Sequence, residues 1–131
     1  MKEKPKQLRL LADENTSHRF LSACRRLIQG FPIVHIARWQ GGSWLGLDDA
    51  ALLIACAEAG LVLAAFDRAT LPWHAGQVLR AGENHGGLIL FRRSVRTINY
   101  GQQARLLTQF WTDEGHAWEW RDRIVYLPTS P

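Results

Sequence analysis

Residues 47–67 read LDDAALLIACAEAGLVLAAFD, and this stretch combines a helix start, a helix stop and a buried strand. The acidic pair Asp48 and Asp49 stands where a helix N-cap would stand, ahead of apolar residues at helical spacing. Gly60 is a natural helix end, and residues 61–66 are apolar without interruption before Asp67. Such a run is typical of a strand buried on both faces, so the stretch predicts one helix–strand unit of an α/β sheet.

The same alternation extends in both directions along the chain. Strands are predicted at residues 8–12, 32–39, 61–66, 87–91 and 123–127. Helices are predicted between a cap at Asn15, Thr16 or Ser17 and a stop at Gly30, and over residues 48–60, 72–81 and 102–111, with a flexible connection at residues 40–46. Apolar strands that alternate with helices predict an α/β fold with a doubly wound, mostly parallel sheet of about five strands flanked by helices.

The composition indicates one ordinary globular domain. The chain has 131 residues, of which 47% are hydrophobic and 21% charged, which is enough to bury a core of its own. We expect a single domain over residues 1–131, with residues 1–7 as a basic N-terminal tail. No apolar segment suggests a signal peptide or a membrane span, so a soluble, cytoplasmic protein is expected. Cys24 and Cys56 fall at apolar helical positions and are interpreted as core residues.

Acidic residues follow the predicted strands. Asp13 ends the first strand, in LLADEN (residues 10–15), and Asp67 ends the third. In an open parallel sheet the ligand site lies beyond the carboxyl ends of the strands, so both should project from the same edge. Asp49 joins them if the connection at residues 40–47 folds back over that edge. Converging carboxylates are tolerated most readily around a divalent cation, and oxygen ligands favour Mg²⁺ or Mn²⁺.

Each acid also has a purely structural interpretation. Asp13 and Asp67 could form turns or cap helices, and one of Asp48 and Asp49 is expected to be an N-cap. Glu14 would point away from Asp13 if the strand continued. Three residues are secondary candidates for the site: Glu14, Asn15 and Asp48.

Taken together, LLADEN and the stretch at residues 47–67 resemble the PIN-like domain family, in particular its short bacterial members related to the toxin nucleases of toxin–antitoxin modules. In those proteins an Asp ends the first strand, a second opens an Ala- and Leu-rich helix, and a third follows the next strand. The resemblance covers residue 8 to about residue 96. It implies that Asp13, Asp49 and Asp67 hold metal and carry catalysis, with Asp49 preferred to Asp48, and that the activity is metal-dependent RNA cleavage.

The sequence departs from the family pattern beside the third acid. A Thr commonly stands two residues before that Asp and a further Asp two residues after it, whereas this chain has Ala65 and Ala69. A Glu that many PIN domains carry between the first two acids has no counterpart in HIARWQGGSWLG (residues 35–46). A second interpretation therefore stays open, that of a catalytically degenerate PIN-like module that binds a small protein partner.

Basic residues follow two of the same strands. The formal charge of +4 mildly favours polyanionic partners. Arg68 follows Asp67, and three arginines follow the fourth strand, namely Arg92, Arg93 and Arg96. They are expected to contact RNA phosphates, with a solvated loop as the alternative. The histidines show no recognisable ligand spacing; they are His18, His35, His74, His85 and His116.

A phosphoacceptor receiver domain is a third, less favoured interpretation. It would use Asp13, Glu14 and Asp67, with Ser94 after the fourth strand, but it needs a Lys near the end of the fifth strand, where this chain reads PTSP. The tryptophans near that strand are expected to pack in the core or at a homodimer surface rather than to stack on bases; they are Trp111, Trp118 and Trp120. The expected partners are RNA, a small antitoxin-type protein and a second copy of the chain.

Overall fold

A computed structural model describes residues 9–66 and 70–130. The strands are β1 (Leu10–Ala12), β2 (Ile33–His35), β3 (Val62–Phe66), β4 (Leu88–Phe91) and β5 (Ile124–Leu127). The α-helices of the described residues are α1 (His18–Leu27), α2 (Asp49–Ala59), α3 (Thr70–Arg80) and α4 (Tyr100–Asp113), and short 3₁₀ turns lie at Trp39–Gly42 and Gly115–Ala117. Strand and helix alternate as the sequence predicts.

The five strands form one parallel sheet in the order β2-β1-β3-β4-β5. The chain moves outward from β1 to β2 and then returns past β1 to β3, so the strand order reverses between β1 and β3. This is the order of flavodoxin-like sheets, in which ligands bind beyond the carboxyl ends of the strands at the reversal. The prediction of a doubly wound parallel sheet is confirmed.

Two apolar cores cover the two faces of the sheet. Alternate strand residues such as Leu10, Val62 and Ile89 pack with α1 and α4 on one face. Their neighbours Leu11 and Leu63 pack with α2 and α3 on the other face. Both sets are almost fully buried, which explains why the strands are apolar at successive positions instead of alternating with polar residues.

The last crossover of the sheet has the opposite hand to the first three. α1 lies on one face as the chain moves from β1 to β2, and α2 and α3 lie on the other face as it moves back through β3 to β4, so these three share one hand. From β4 to β5 the chain moves in the same direction as from β2 to β4, but α4 lies on the face that α1 covers. Because such crossovers are nearly always right-handed, β4–α4–β5 is the left-handed exception. It brings α4 against α1.

Local signals account for most helix ends. The Ser17 hydroxyl accepts a hydrogen bond from the backbone of Arg19 and caps α1, as predicted for one of the three candidate residues. Gly60 ends α2 in the left-handed conformation, with φ of +72°. α3 begins at Thr70, slightly before the predicted start at residue 72.

The second strand is shorter than predicted. β2 ends at His35, whereas the apolar pattern predicted a strand over residues 32–39. β1 has only three residues to pair with it, and after the hydrogen bond from Ile36 N to Ala12 O the chain turns into the 3₁₀ segment at Trp39–Gly42. The prediction was wrong here because an apolar run does not show where the partner strand stops.

The cysteines and the late tryptophans belong to the core. Cys24 and Cys56 are free and buried, and burial raises the pKa of each thiol to about 12. Trp111 and Trp120 are buried and stacked, and Trp120 Nε1 donates to Gly115 O at 2.7 Å. The packing interpretation of these residues is confirmed. Within the described residues, the helices are too short or too polar to cross a membrane.

We expect Gly86→Ala to destabilise the fold and Gly76→Ala to stabilise it. A Cβ at Gly86 would overlap Leu61 O and would lie 3.0 Å from Cys56 O, so the backbone between α2 and β3 would have to shift, at a cost of about 1–3 kcal/mol. Gly76 lies inside α3 with open space around it, and Ala there should add about 0.5–1 kcal/mol. Urea unfolding of both variants checks this; equal stabilities would contradict the close packing of Gly86.

Candidate active site

Asp13 occupies a buried position directly after the central strand β1. Its backbone N–H donates to Ala64 O at 3.0 Å, which continues the pairing of β1 with β3 by one residue. The side chain is only 3% exposed, and its Oδ1 accepts a hydrogen bond of 2.8 Å from the backbone of Glu14. Thr16 closes the turn, because its backbone and hydroxyl both donate to Asp13 O. The structure thus fixes a carboxylate at the point where the strand order reverses.

The neighbours of Asp13 in sequence do not share its environment. Glu14 and Asn15 are exposed, whereas Asp13 is buried. The expectation that Glu14 points away from Asp13 fits this difference.

The two acids at the start of α2 have different roles. Asp48 is the N-cap, with Oδ1 accepting a hydrogen bond of 2.8 Å from the backbone of Ala51. Asp49 is the first residue of the helix, and its Oδ2 lies 3.9 Å from Nε2 of His74 on α3. The prediction that one member of the pair is a cap is confirmed, and the capping residue is Asp48.

Asp49 lies at the carboxyl edge of the sheet. α2 runs back from the end of β2 to the beginning of β3, so its first residue is at the edge where the parallel strands end. The contact with His74 places Asp49 beside the early part of α3, which follows β3. Asp13 and Asp49 therefore share this edge. Asp67, which follows Phe66 in the sequence, lies outside the described residues, as do Arg68 and Ala69.

Two histidines at this edge were not predicted as part of a site. His74 reaches Asp49 through the packing of α3 on α2, and no spacing in the sequence could reveal that contact. His35 ends β2 and pairs in register with Ala12, the residue before Asp13. A signal for His35 was present, because a histidine at the carboxyl end of a predicted strand belongs to the same edge as the acids.

His35 is held in one orientation and one tautomer. Nδ1 accepts a hydrogen bond from the backbone of Ala37 at 3.1 Å, so the proton is on Nε2, which lies 3.0 Å from Thr16 O and donates to it. The ring is buried and stacks on His18 with 4.1 Å between centroids. Burial lowers the pKa of His35 below its ordinary value and outweighs the hydrogen bond to Thr16. The side chain is therefore a neutral support for the Asp13 turn.

The arginines after β4 surround a small pocket at the same edge. This Arg pocket has a volume of about 210 Å³ and is lined by Arg92, Arg93 and Arg96 together with Phe66, the last residue of β3. The guanidinium of Arg92 already has partners within the protein, since its Nε donates to Pro128 O at 2.6 Å and the group lies over the ring of Tyr126. Arg93 and Arg96 are exposed. The geometry leaves these two best placed for an anionic ligand.

The donor chemistry of the edge suits a hard divalent cation. Asp13 and Asp49 offer carboxylate oxygens, which Mg²⁺ and Mn²⁺ prefer. Within residues 9–66 and 70–130, no group of three His, Cys, Asp or Glu side chains is close enough to hold a metal ion. Asp67, the third acid of the predicted ligand set, lies outside those ranges.

Comparisons of the chain with protein-family models, with curated proteins and with solved structures give no match. The resemblance to PIN-like domains stays a prediction from the two sequence segments. The receiver interpretation shares the observed strand order but still lacks its Lys, since β5 ends at the buried Leu127 and Pro128 follows.

We expect the stability of the protein to fall as the pH drops below about 6.5, in part through His35. The folded-state pKa of His35 lies below the unfolded value, so the unfolded chain takes up the proton first. The contribution of neutral His35 is complete above the unfolded pKa and is lost as the pH falls from it towards the folded pKa. Burial lowers the pKa of His85 as well, which adds to the effect in the same direction.

Thermal melts at about pH 7.5 and about pH 5.5 measure this dependence. His35→Asn should show a smaller loss of Tm on acidification than the parent. His116→Asn, at an exposed histidine, is the control and should keep the parental difference. An unchanged pH dependence in His35→Asn would contradict the assignment of a neutral, buried imidazole.

Proposed function

We propose that the protein is a Mg²⁺- or Mn²⁺-dependent ribonuclease of the PIN-like type that hydrolyses RNA phosphodiester bonds in the cytoplasm. One observation carries the proposal: carboxylates and a small arginine-lined pocket occupy the same edge of the sheet. Asp13 follows β1, and the Arg pocket lies beside the last residue of β3, the strand next to β1. Acidic and cationic groups at one edge of the sheet would suit a cation and a phosphodiester bound at that edge.

Each side chain has a distinct task in this proposal. Asp13, Asp49 and Asp67 hold the ion, and Asp48 keeps the start of α2 in place as its cap. Arg93 and Arg96, with Arg68, bind phosphate oxygens and orient the RNA strand. The bound cation would supply an activated water for in-line attack and stabilise the leaving oxygen. No side-chain nucleophile is required.

The PIN-like resemblance also motivates the partners of the proposed enzyme. A toxin nuclease would be paired with a small antitoxin-type protein, and a homodimer is a further proposal. The alternative of a degenerate binding module rests on Ala65 and Ala69. Ala65 is fully buried against α2 and α3, so the position of the family Thr is filled here by a packed core methyl group.

Purified protein is expected to cleave single-stranded RNA only when Mg²⁺ or Mn²⁺ is present. Asp13→Asn and Asp49→Asn should each lower the rate on the order of 100-fold, because a cation ligand is removed. Asp113→Asn, an exposed acid at the far end of α4, is the matched control. Arg93→Ala and Arg96→Ala should weaken RNA binding, with Arg121→Ala as their control. Cleavage that continues undiminished in excess chelator would exclude the proposed chemistry.

Metal binding can be tested without any substrate. A cation that binds only the folded protein stabilises it by about 2.7 kcal/mol at 100 times its Kd, so Mn²⁺ should raise the Tm of the parent. Asp13→Asn, Asp49→Asn and Asp67→Asn should each show a much smaller Mn²⁺-induced shift, whereas Asp113→Asn should keep it. The shift is compared with each variant's own melt in chelator, which removes structural effects of the substitution. Parallel shifts in all variants would leave these acids as turn and cap residues.

A further inference from the structure

A cleft lies beside the candidate site but outside it. It is an open cleft of about 560 Å³ between α1 and β2, and we call it the basic cleft. Its charged and titratable lining residues are His18, Arg25, His35 and Arg38. β2 is an edge strand, so no further strand of the described sheet covers the cleft.

The basic cleft is connected to the turn that holds Asp13. His35 forms one wall of the cleft and pairs in register with Ala12. Its Nε2–H donates to Thr16 O, and Thr16 in turn donates to Asp13 O. A ligand in the cleft would therefore lie next to the residues that position the Asp13 carboxylate.

The charge of the cleft is of one sign. Arg25 and Arg38 are exposed at its surface, and none of the described residues that line it is acidic. Arg25 Nη2 donates to Ile33 O at 3.2 Å, which holds the guanidinium against the edge strand and leaves its other N–H groups for a ligand. The positioned Arg25 and the exposed Arg38 favour an anionic ligand, and arginine binds phosphate in a bidentate manner.

The histidines give the cleft a fixed wall. Both ring nitrogens of His35 are used by Thr16 and Ala37, so His35 does not recognise the ligand itself. It supports His18, which stacks on it and is exposed to the cleft. An exposed, supported imidazole next to two arginines offers a further hydrogen-bond donor or a flat surface for a nucleobase.

We propose that the basic cleft binds a backbone phosphate of the RNA strand, one or more nucleotides away from the bond that is cut. This inference rests on the proposed function. The positions follow the strand order: the basic cleft at β2, Asp13 at β1, and the Arg pocket at the ends of β3 and β4. Neighbouring β-strands lie about 4.8 Å apart, so β2 and β4 are separated by roughly 14 Å. The RNA would therefore cross the edge of the sheet with cationic contacts on both sides of Asp13.

The size of the cleft fits this occupant. Pockets of about 300–1,000 Å³ are typical for small-molecule ligands, and the basic cleft lies within that range, so it has room for a phosphate and part of its nucleotide. Its open edge lets a chain pass through, which an enclosed cavity for a free metabolite would not allow.

The test is binding of a fluorescently labelled single-stranded RNA, measured by anisotropy in chelator so that no cleavage occurs. The Arg25→Ala/Arg38→Ala double variant should bind about tenfold more weakly than the parent, and each single variant should reduce the slope of log K against log salt by about 0.7. Arg26→Ala is the matched control, since Arg26 lies on the same helix, is exposed and does not line the cleft. Arg25→Lys keeps the charge and should retain most of the affinity.

Thermal melts show whether each variant is folded, and Arg38→Glu provides a second probe that does not disturb the Arg25–Ile33 contact. Parental affinity and salt slope in the double variant, or an equal loss in Arg26→Ala, would overturn the inference. Tighter binding of a phosphoserine peptide than of RNA, abolished by Arg38→Glu, would also overturn it by assigning the cleft to a protein partner. The proposed ribonuclease activity fails by a different result. In that case the parent protein does not cleave RNA in the presence of Mn²⁺, although RNA binding still depends on the basic cleft.

Discussion

The pairing of β1 with both of its neighbours is the constraint on which the candidate site depends. β1 has only three residues, all fully buried, and it bonds to β2 on one side and to β3 on the other. The chain leaves β1 towards β2 and returns on the other side of β1 as β3, so the connections diverge at this point and leave a crevice at the carboxyl edge. The hydrogen bond from Asp13 to Ala64 extends the pairing into that crevice. Any change that slipped β1 by one residue would move Asp13 to the opposite face of the sheet.

Much of the fold could be predicted because its strands are buried on both faces. A strand without a solvent face reads as an unbroken apolar run, and the runs at residues 61–66 and 87–91 correspond closely to β3 and β4. Strand order and the faces of the helices are set by contacts between distant segments, which periodicity does not record. The left-handed β4–α4–β5 crossover shows this clearly. α4 is amphipathic in any arrangement, and its place on the α1 face follows from the apolar core that it shares with α1 and with alternate strand residues.

The candidate site was predictable to the same degree and for the same reason. Residues that follow parallel strands lie at one edge of the sheet, so the positions of Asp13, Asp49 and the arginines after β4 at this edge could be predicted from the sequence. The separate roles of Asp48 and Asp49 depend on which carboxylate accepts a hydrogen bond from the N–H of Ala51, and this depends on a shift of one residue in the start of α2. The contact of His74 with Asp49 and the bond from Arg92 to Pro128 O arise from tertiary packing and carry no local signature.

The mixture of charges at the carboxyl edge has a consequence for the proposed enzyme. Carboxylates would repel an RNA strand, and the arginines of the basic cleft and the Arg pocket, which lie on both sides of Asp13 in the strand order, would offset that repulsion. A divalent cation on the carboxylates would remove the repulsion at its source. RNA and cation would then each strengthen the binding of the other by the same factor, because coupling between two binding equilibria is reciprocal. An edge with carboxylates alone would bind cations but not RNA, and one with arginines alone would bind RNA without positioning the cation needed for hydrolysis.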